Sequence, residues 1–325
     1  MNNDTQVPRP NETDDVTFDV IRKVIFPLRD SVLFAAITGG NLMVIIVVSR
    51  YPHLRTGTNY LVASLACSDL MIGLCSFLNT WKWIFNALNT EAHCLVIMSL
   101  YSMSIFLSLL SLMSIAIDRL LAVKYPLLYR TKLTNKRVVV YICITWVVSI
   151  FLGLMMLYKG RKWPYPCNLE HAFNKGYVCF VGITILCIEL ILACLYVVIY
   201  LSYVSSRKRV GNGNIATNHA HRNSSNRIRD RNMTKIVFIV TSVFVVCYTP
   251  FAVSLIILGY SSPEFEQYFF TTRGAFLFLA LANSVVNPII YGITNPKYRA
   301  AFYGILRCRY SVDNINGSVT EQSAE

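Results

Sequence analysis

Charged residues are scarce in this chain of 325 residues. Asp, Glu, Lys and Arg make up 14% of the sequence, whereas they make up about 25% of an ordinary soluble domain. Hydrophobic residues make up 54%. A soluble enzyme needs a charged surface and a disordered protein needs a low apolar content, so the composition excludes both classes.

Metal-ligating patterns are scarce as well. No Cys-x2-Cys pair occurs, and the five histidines fall outside the long apolar segments: His53, His93, His171, His219 and His221. An intramembrane metallohydrolase, which we considered as an alternative function, would need zinc ligands within its helices. A seven-helix ion pump or channel, the other alternative, is disfavoured because the segments contain no ladder of buried charges.

The apolar residues are gathered into seven long runs. A helix needs about 20 apolar residues to cross a bilayer core, and each run reaches that length or falls one residue short. One run contains Asp69, another contains Glu189, and the other five contain no charge. The runs are Ser31–Ser49, Thr56–Trp81, Leu95–Ile117, Val138–Tyr158, Gly176–Ser206, Ile236–Pro263 and Gly274–Pro296. We therefore predict an all-α membrane protein, a bundle of seven transmembrane helices.

Lys and Arg are distributed unevenly around these runs. With the N-terminus outside, 20 of the 30 basic residues flank the inner ends. Because Lys and Arg accumulate on the cytoplasmic side, we predict a multi-pass plasma-membrane protein with an extracellular N-terminus. The net charge of the chain is +13. Its excess of basic residues is expected to face membrane lipids and cytosolic partners, and nucleic acid is not expected as a partner. No signal peptide is visible, so the first helix is expected to direct insertion, and Asn3 and Asn11 are predicted glycosylation sites.

The predicted organisation has four parts. Residues 1–26 form an extracellular tail, 27–294 the seven-helix domain, 295–309 an amphipathic helix on the membrane surface, and 310–325 a cytoplasmic tail. Cys308, at the end of the amphipathic helix, is a candidate palmitoylation site. Arg207–Asn232 is rich in Arg, Asn and Ser, and we predict that it forms a flexible basic loop between the fifth and sixth helices.

Several polar residues lie at similar depth within the runs. Besides Asp69, they are Asn41, Ser108, Asn283, Ser284 and Asn287. Their oxygen atoms suit a small hard cation, but hydrogen bonds between helices would explain them equally well. Glu189 has no obvious partner and could contact a ligand. Asp118 and Arg119 form either a charged pair at the membrane boundary or a switch in which Arg119 contacts Asp230.

Pro250 and Pro288 interrupt the sixth and seventh runs. Proline removes a backbone hydrogen bond and kinks a helix. A kinked helix whose inner end can pivot is a plausible two-state element, so both prolines are candidate parts of a switch.

Taken together, the motifs along the chain resemble those of the rhodopsin-like (class A) G-protein-coupled receptors. They are Gly40-Asn41, Ser64–Leu70, Trp83-Ile84-Phe85, Cys94, Asp118-Arg119-Leu120, Pro126, Trp146, Cys247-Tyr248-Thr249-Pro250 and Asn287-Pro288-Ile289-Ile290-Tyr291. The departures are Leu120 in place of a Tyr, Tyr248 in place of a Trp, and Ile188 where the fifth helix usually has a Pro. Any one motif is weak, but their order and spacing on seven helices are specific.

The resemblance implies a receptor in which an extracellular ligand favours movement of the sixth helix and activation of a heterotrimeric G protein, with arrestin as a further partner. It implies an allosteric sodium site at Asp69, Ser108, Asn283, Ser284 and Asn287. Arg119, Tyr196 and Tyr291 would line the inner cavity, and Ile188, Leu109 and Phe244 would form the packing switch. Cys94 would bridge to the second outer loop, where Cys167 is preferred to Cys179.

The ligand is constrained mainly by what is missing. Tyr101 occupies the position of the Asp of aminergic receptors, and Leu281 that of the retinal-bearing Lys of visual-type opsins, so neither a monoamine nor retinal is expected. The candidate pocket residues are Met98, Tyr101, Ser102, Ile105, Phe180, Tyr248, Phe251, Leu255, Phe276 and Leu277. This apolar, aromatic set suits a neutral, lipid-like or peptide ligand, although ordinary helix packing would also account for it. Arg273 could meet an acidic ligand group, or else Glu264 or Glu266.

Overall fold

The computed structural model describes residues 24–81, 91–125, 129, 131, 134–157, 175–211, 219–261 and 263–307. Eight α-helices account for most of this part of the chain. They are α1 (Phe26–Arg50), α2 (Gly57–Trp81), α3 (Glu91–Lys124), α4 (Asn135–Leu154), α5 (Lys175–Gly211), α6 (His219–Tyr260), α7 (Pro263–Thr294) and α8 (Pro296–Leu306). Short 3-10 turns at Pro52–Leu54 and Met155–Leu157 follow α1 and α4.

Helices α1 to α7 are each long and apolar enough to span a membrane. The prediction of seven transmembrane helices is therefore confirmed for the described residues. Consecutive helices from α1 to α4 and from α5 to α8 pack against each other, and α3 also contacts α5 and α6, which places α3 at the centre of the bundle. We refer to the two ends of the bundle by residues of α3, as the Cys94 end and the Arg119 end.

Local sequence sets several helix boundaries. Pro27 lies in the first turn of α1, where its missing N–H costs nothing, and α1 ends at Arg50, before the extended residue Tyr51 that precedes Pro52. The side chain of Asn295 caps α8 by accepting a hydrogen bond from the Lys297 backbone N–H at 3.1 Å. The chain thus turns sharply between α7 and α8.

The helices extend beyond the apolar runs. Helix α1 begins five residues before Ser31. Helix α5 continues as far as Gly211, and α6 already begins at His219. The prediction of a flexible loop over Arg207–Asn232 is therefore wrong for most of that segment, since only residues 212–218 lie outside the described helices. Arg, Ala and Asn are tolerated in helices, and an established helix adds one hydrogen bond for each further residue, so the helix can continue past its apolar part.

Helix α8 packs against the Arg119 end of α7. Tyr298 is 1% exposed, and its ring centroid lies 5.7 Å from that of Tyr291. Phe302 makes an edge contact with Tyr298, whereas Leu306 is exposed. Ile305 is also partly buried against the core, so the buried face of α8 ends just before Leu306.

Candidate functional site

Asp69 is the centre of a buried polar cluster between α2 and α7. Its carboxyl group is fully buried and accepts two hydrogen bonds, from the Ser284 hydroxyl at 2.8 Å and from the Asn287 amide at 2.9 Å. The amide of Asn41 on α1 donates to the Ser284 backbone carbonyl at 3.0 Å. Burial of a carboxyl group is costly unless it is hydrogen-bonded, so these contacts explain how α2 can carry Asp69 inside the membrane.

The residues predicted as sodium ligands fit a small cation. All five are at most 1% exposed: Asp69, Ser108, Asn283, Ser284 and Asn287. Within the described part of the chain, the hydroxyl of Ser108, the amide oxygen of Asn287 and both polar atoms of the Asn283 amide have no hydrogen-bond partner. Buried oxygen atoms of this kind are the ligands that hard cations prefer. A bound ion would supply a positive charge beside the Asp69 carboxylate.

A second buried cluster lies at the Arg119 end, where α2 and α3 meet. Asp118 and Arg119 are 4% and 5% exposed. The Arg119 Nε donates to Asp118 Oδ2 at 3.0 Å, and its Nη2 donates to the same oxygen and to the Thr58 hydroxyl. Thr58 in turn donates to Asp118 Oδ2 at 2.8 Å. Both charges are therefore compensated within the bundle.

Tyr129, which follows α3, completes this cluster. Its hydroxyl donates to Asp118 Oδ1 at 2.9 Å and accepts from Arg119 Nη2 at 3.3 Å. Burial and the negative charge of Asp118 raise the pKa of the Tyr129 hydroxyl, so it remains protonated and able to donate at neutral pH. The side chain of Asp230, on α6, lies outside the described residues, and its contact with Arg119 stays a prediction.

Aromatic residues connect α5, α6 and α7 towards the Arg119 end. The Tyr196 hydroxyl accepts a hydrogen bond from Thr241 on α6 at 3.0 Å, and Tyr291 lies on α7 with 5% exposure. Both tyrosines were predicted to line the inner cavity. The structure holds them on the inward faces of their helices, on the same side of Pro250 and Pro288 as the Arg119 cluster.

The predicted packing switch is buried in the middle of the bundle. Ile188, Leu109 and Phe244 are 8%, 0% and 0% exposed. Phe244 stacks on Tyr248, one turn away on α6, with 4.1 Å between ring centroids. Tyr248, which stands where relatives of this type carry Trp, is thus packed as a core side chain next to the switch.

Most predicted pocket residues are buried towards the Cys94 end. Those less than 10% exposed are Met98, Tyr101, Ser102, Ile105, Tyr248, Phe251, Leu255 and Arg273, while Phe276 and Leu277 are partly buried. Phe180 differs, because it is 41% exposed and its ring lies against Tyr177. The described part of α5 therefore presents Phe180 at the rim of this group of residues.

Two residues that the sequence analysis overlooked lie beside the candidate pocket. Arg29 and Asp30 form an ion pair of 2.7 Å inside the span of α1, and Asp30 is 4% exposed. The Arg29 guanidinium lies over the Phe278 ring of α7, 5.0 Å from its centroid. Their position next to the first apolar run is a signal that could have revealed them, because a helix started by Pro27 includes both.

Tyr177 is a third overlooked residue. Its hydroxyl lies 2.8 Å from that of Ser102 on α3 and donates to the Leu152 carbonyl on α4 at 2.9 Å. It therefore joins α3, α4 and α5 near the candidate pocket. Glu189, for which the sequence showed no partner, accepts a hydrogen bond from Thr249 on α6 at 2.8 Å.

Other predicted sites lie at the edge of the described chain. Cys94 is disulfide-bonded, and Cys179 is a buried free thiol. Asn3, Asn11, Cys167 and Cys308 lie outside the described residues, so pairing with Cys167, glycosylation and palmitoylation stay predictions.

The bundle and its buried clusters define a seven-helix membrane protein with polar groups at both ends of a packed core. Residues 40–291 match the family model described as "7 transmembrane receptor (rhodopsin family)". The chain therefore belongs to the rhodopsin family of seven-transmembrane receptors, as the motifs indicated. Members of this family are receptors that signal through G proteins and are not enzymes, so the metallohydrolase alternative is wrong.

Individual relatives cover most of this chain. Lysophosphatidic acid receptor 1-B of Xenopus laevis is 31% identical over 93% of this chain and 81% of its own length. Histamine H2 receptor of Rattus norvegicus is 26% identical over 90% of this chain and 82% of its own length. Neuropeptide receptor 22 of Caenorhabditis elegans is 26% identical over 86% of this chain and 69% of its own length. The chain is thus similar to receptors named for a lipid, an amine and a neuropeptide.

Proposed function

We propose that this receptor stands in the plasma membrane with its N-terminus outside and binds a neutral, lipid-like or peptide ligand at the Cys94 end. Ligand binding favours an arrangement in which the Arg119 end of α6 moves away from α3, and that arrangement activates a heterotrimeric G protein. Arrestin binds the same end, and membrane lipids surround the apolar helix faces. A ligand can produce this shift only if it binds the two arrangements with different affinity.

The observation that carries this proposal is the Arg119 cluster. Arg119 and Asp118 are held at one end of the bundle by their ion pair and by hydrogen bonds with Thr58 and Tyr129, and a helix movement can break such hydrogen bonds. Pro250 lies between this end and the candidate pocket within one continuous helix. A local change at the pocket can therefore alter the direction of the half of α6 that lies at the Arg119 end.

The ligand class rests on the composition of the candidate pocket. Its buried residues are mainly apolar and aromatic, and Tyr101 occupies the position of the aminergic Asp. This favours a lipid-like or apolar peptide group over a monoamine, in spite of the similarity to a histamine receptor. The ion pair of Arg29 and Asp30 adds a polar edge that suits the head group of an amphiphile.

Two further sites belong to this proposal. Asp69, Ser108, Asn283, Ser284 and Asn287 hold a sodium ion that stabilises the arrangement seen here. Cys94 pairs with Cys167 on the outside, Asn3 and Asn11 carry glycans, and Cys308 carries a palmitoyl group that anchors α8 to the inner leaflet.

The test is guanine-nucleotide exchange on all G-protein classes in cells that express the chain. Arg119→Ala should abolish both basal and ligand-driven exchange at equal surface expression. Lys136→Ala, which removes an exposed basic residue at the start of α4, is the matched control and should leave exchange unchanged. If Arg119→Ala signals like the wild-type chain with every G-protein class, the proposed mechanism is wrong.

A further inference from the structure

Glu189 is a buried carboxyl group in the middle of α5 that the proposed mechanism does not use. It is 5% exposed and lies inside the span Lys175–Ser202. Its Oε2 accepts a hydrogen bond from the Thr249 hydroxyl at 2.8 Å, whereas its Oε1 has no hydrogen-bond partner among the described residues. An ionisable residue inside a membrane span is costly, so a role for its single hydrogen bond is the first hypothesis to examine.

The partner of Glu189 lies at the weakest point of α6. Thr249 directly precedes Pro250, which lacks an N–H and so removes one hydrogen bond from the helix. The two halves of α6 can therefore change their relative angle at this position. A contact from α5 to Thr249 therefore fixes the position of this hinge against α5.

Helices α5 and α6 are in contact on both sides of Thr249. Towards the Cys94 end, α5 and α6 pack too closely for larger side chains. A Cβ on Gly182 would lie 2.7 Å from the Ala252 carbonyl oxygen, and a Cβ on Gly259 would lie 2.8 Å from the Cys179 Cβ. Towards the Arg119 end, the helices are joined through the hydrogen bond between Tyr196 and Thr241. The Tyr196 ring also makes an edge contact with Phe238 on α6, with 5.9 Å between centroids, so Glu189 lies between two regions in which α5 and α6 are in contact.

The spacing along α5 supports one continuous contact line. Gly182, Glu189 and Tyr196 are seven residues apart, which places them on one face at intervals of two turns, about 10 Å. Each of the three meets α6 in the structure. Glu189 is therefore the middle member of the α5–α6 interface.

We propose that Glu189 is a positioning residue: its hydrogen bond with Thr249 ties α6 to α5 at Pro250 and favours the arrangement in which Arg119 is bonded to Asp118. This inference rests on the proposed function for its signalling consequence. Loss of the acceptor on Glu189, or of the donor on Thr249, frees the Arg119 end of α6 and raises basal signalling. The charge of Glu189 is not required, because an amide oxygen accepts the same hydrogen bond.

The experiment uses two matched pairs of variants in the full chain. Glu189→Leu removes the acceptor, whereas Glu189→Gln keeps one. Thr249→Val removes the donor, whereas Thr249→Ser keeps one. Hydrogen bonds between membrane helices shift equilibria by about threefold on average and by up to about twentyfold, so Glu189→Leu and Thr249→Val should each raise basal nucleotide exchange per surface receptor by that factor. The conservative variants should match the wild-type chain.

The double variant separates a shared hydrogen bond from two independent packing effects. If the bond is the cause, Glu189→Leu combined with Thr249→Val should signal no more than either alone. The proposal is overturned if Glu189→Gln behaves like Glu189→Leu, if Thr249→Val leaves signalling at the wild-type level, or if the two effects multiply. Should Glu189→Leu fail to reach the surface, the Thr249→Val and Thr249→Ser pair decides.

Amide hydrogen exchange of residues 238–248 in the purified receptor gives a readout that needs no G protein. Exchange there should rise at least about twofold in Glu189→Leu and Thr249→Val and stay unchanged in Glu189→Gln. If exchange rises as expected but Arg119→Ala has no effect on signalling, the positioning contact stands and the proposed function fails. If hydrogen exchange is the same in all four variants, Glu189 does not position α6.

Discussion

Removing the two hydroxyl donors to Asp118 one at a time is a sensitive test of the Arg119 cluster. Thr58 and Tyr129 donate to different oxygens of the same carboxylate, at 2.8 Å and 2.9 Å. Thr58→Val and Tyr129→Phe each remove one hydroxyl and preserve most of the side chain. The geometry alone would predict equal effects, but the surroundings of the two hydroxyls differ.

Burial decides which substitution has the larger effect. Thr58 is 6% exposed, so water cannot replace its lost hydrogen bond, whereas Tyr129 is only partly buried. A hydrogen bond to a charged group contributes about 1.5–3 kcal/mol, and its loss costs less where water can take the place of the missing donor. Thr58→Val should therefore shift the balance towards the open arrangement by about tenfold or more, and Tyr129→Phe by about threefold to tenfold.

Basal nucleotide exchange at equal surface expression measures this shift. Thr184→Val is the control for the first substitution, because the Thr184 hydroxyl donates only to the Phe180 carbonyl of its own helix. Tyr125→Phe, at an exposed neighbouring position, is the control for the second. If Tyr129→Phe raises basal exchange as much as Thr58→Val or more, the argument from burial is wrong. If neither substitution changes basal exchange, the Arg119 cluster does not restrain the receptor.

Three further predictions concern stability, and thermal unfolding of the purified receptor measures each. Sodium chloride should raise the melting temperature above its value in choline chloride, and Asp69→Asn should remove that difference; an equal response of both proteins would indicate ionic strength rather than a site. Arg29→Ala should destabilise the receptor more than Arg29→Ala combined with Asp30→Ala, because the single change deprives the buried Asp30 carboxylate of the Arg29 guanidinium; the reverse order would contradict a stabilising ion pair. Gly182→Ala should lower the melting temperature, since its Cβ would lie 2.7 Å from the Ala252 carbonyl oxygen, whereas Gly39→Ala, with nothing within 4 Å, should raise it slightly through helix propensity; similar effects of both would exclude close α5–α6 packing as the reason.

The fold followed from the sequence because hydrophobicity over 20 residues is a strong signal. A bilayer leaves a spanning segment no alternative to satisfying its own backbone hydrogen bonds, so each long apolar run had to be a helix. Helix ends were less predictable, since α5 and α6 continue into polar sequence where the membrane no longer selects the residues. Composition alone cannot distinguish a polar helix from a polar loop at such a point.

The residues of the candidate site could be predicted where they belong to a sequence motif. Contacts that depend on how the helices pack could not be predicted. Asp69, Ser284 and Asn287 were placed together by motifs on two helices, and the structure joins them. Nothing in the local sequence joined Glu189 to Thr249, which are 60 positions apart. The rotation of α5 about its axis determines that contact. Because the run is apolar on all sides, its sequence does not show which face of the helix points into the bundle.

The distribution of buried hydrogen bonds explains how the same bundle can be stable and still change shape. At the Cys94 end, Gly182 and Gly259 allow α5 and α6 to approach so closely that sliding would bring backbone atoms into collision. At the Arg119 end, the described contacts between the helices include the hydrogen bond between Tyr196 and Thr241 and the edge contact of Tyr196 with Phe238. A dense contact resists displacement in every direction, while a hydrogen bond can be exchanged for one with water or a partner protein. Movement of α6 should therefore be a rotation about the region of Pro250 rather than a translation of the whole helix.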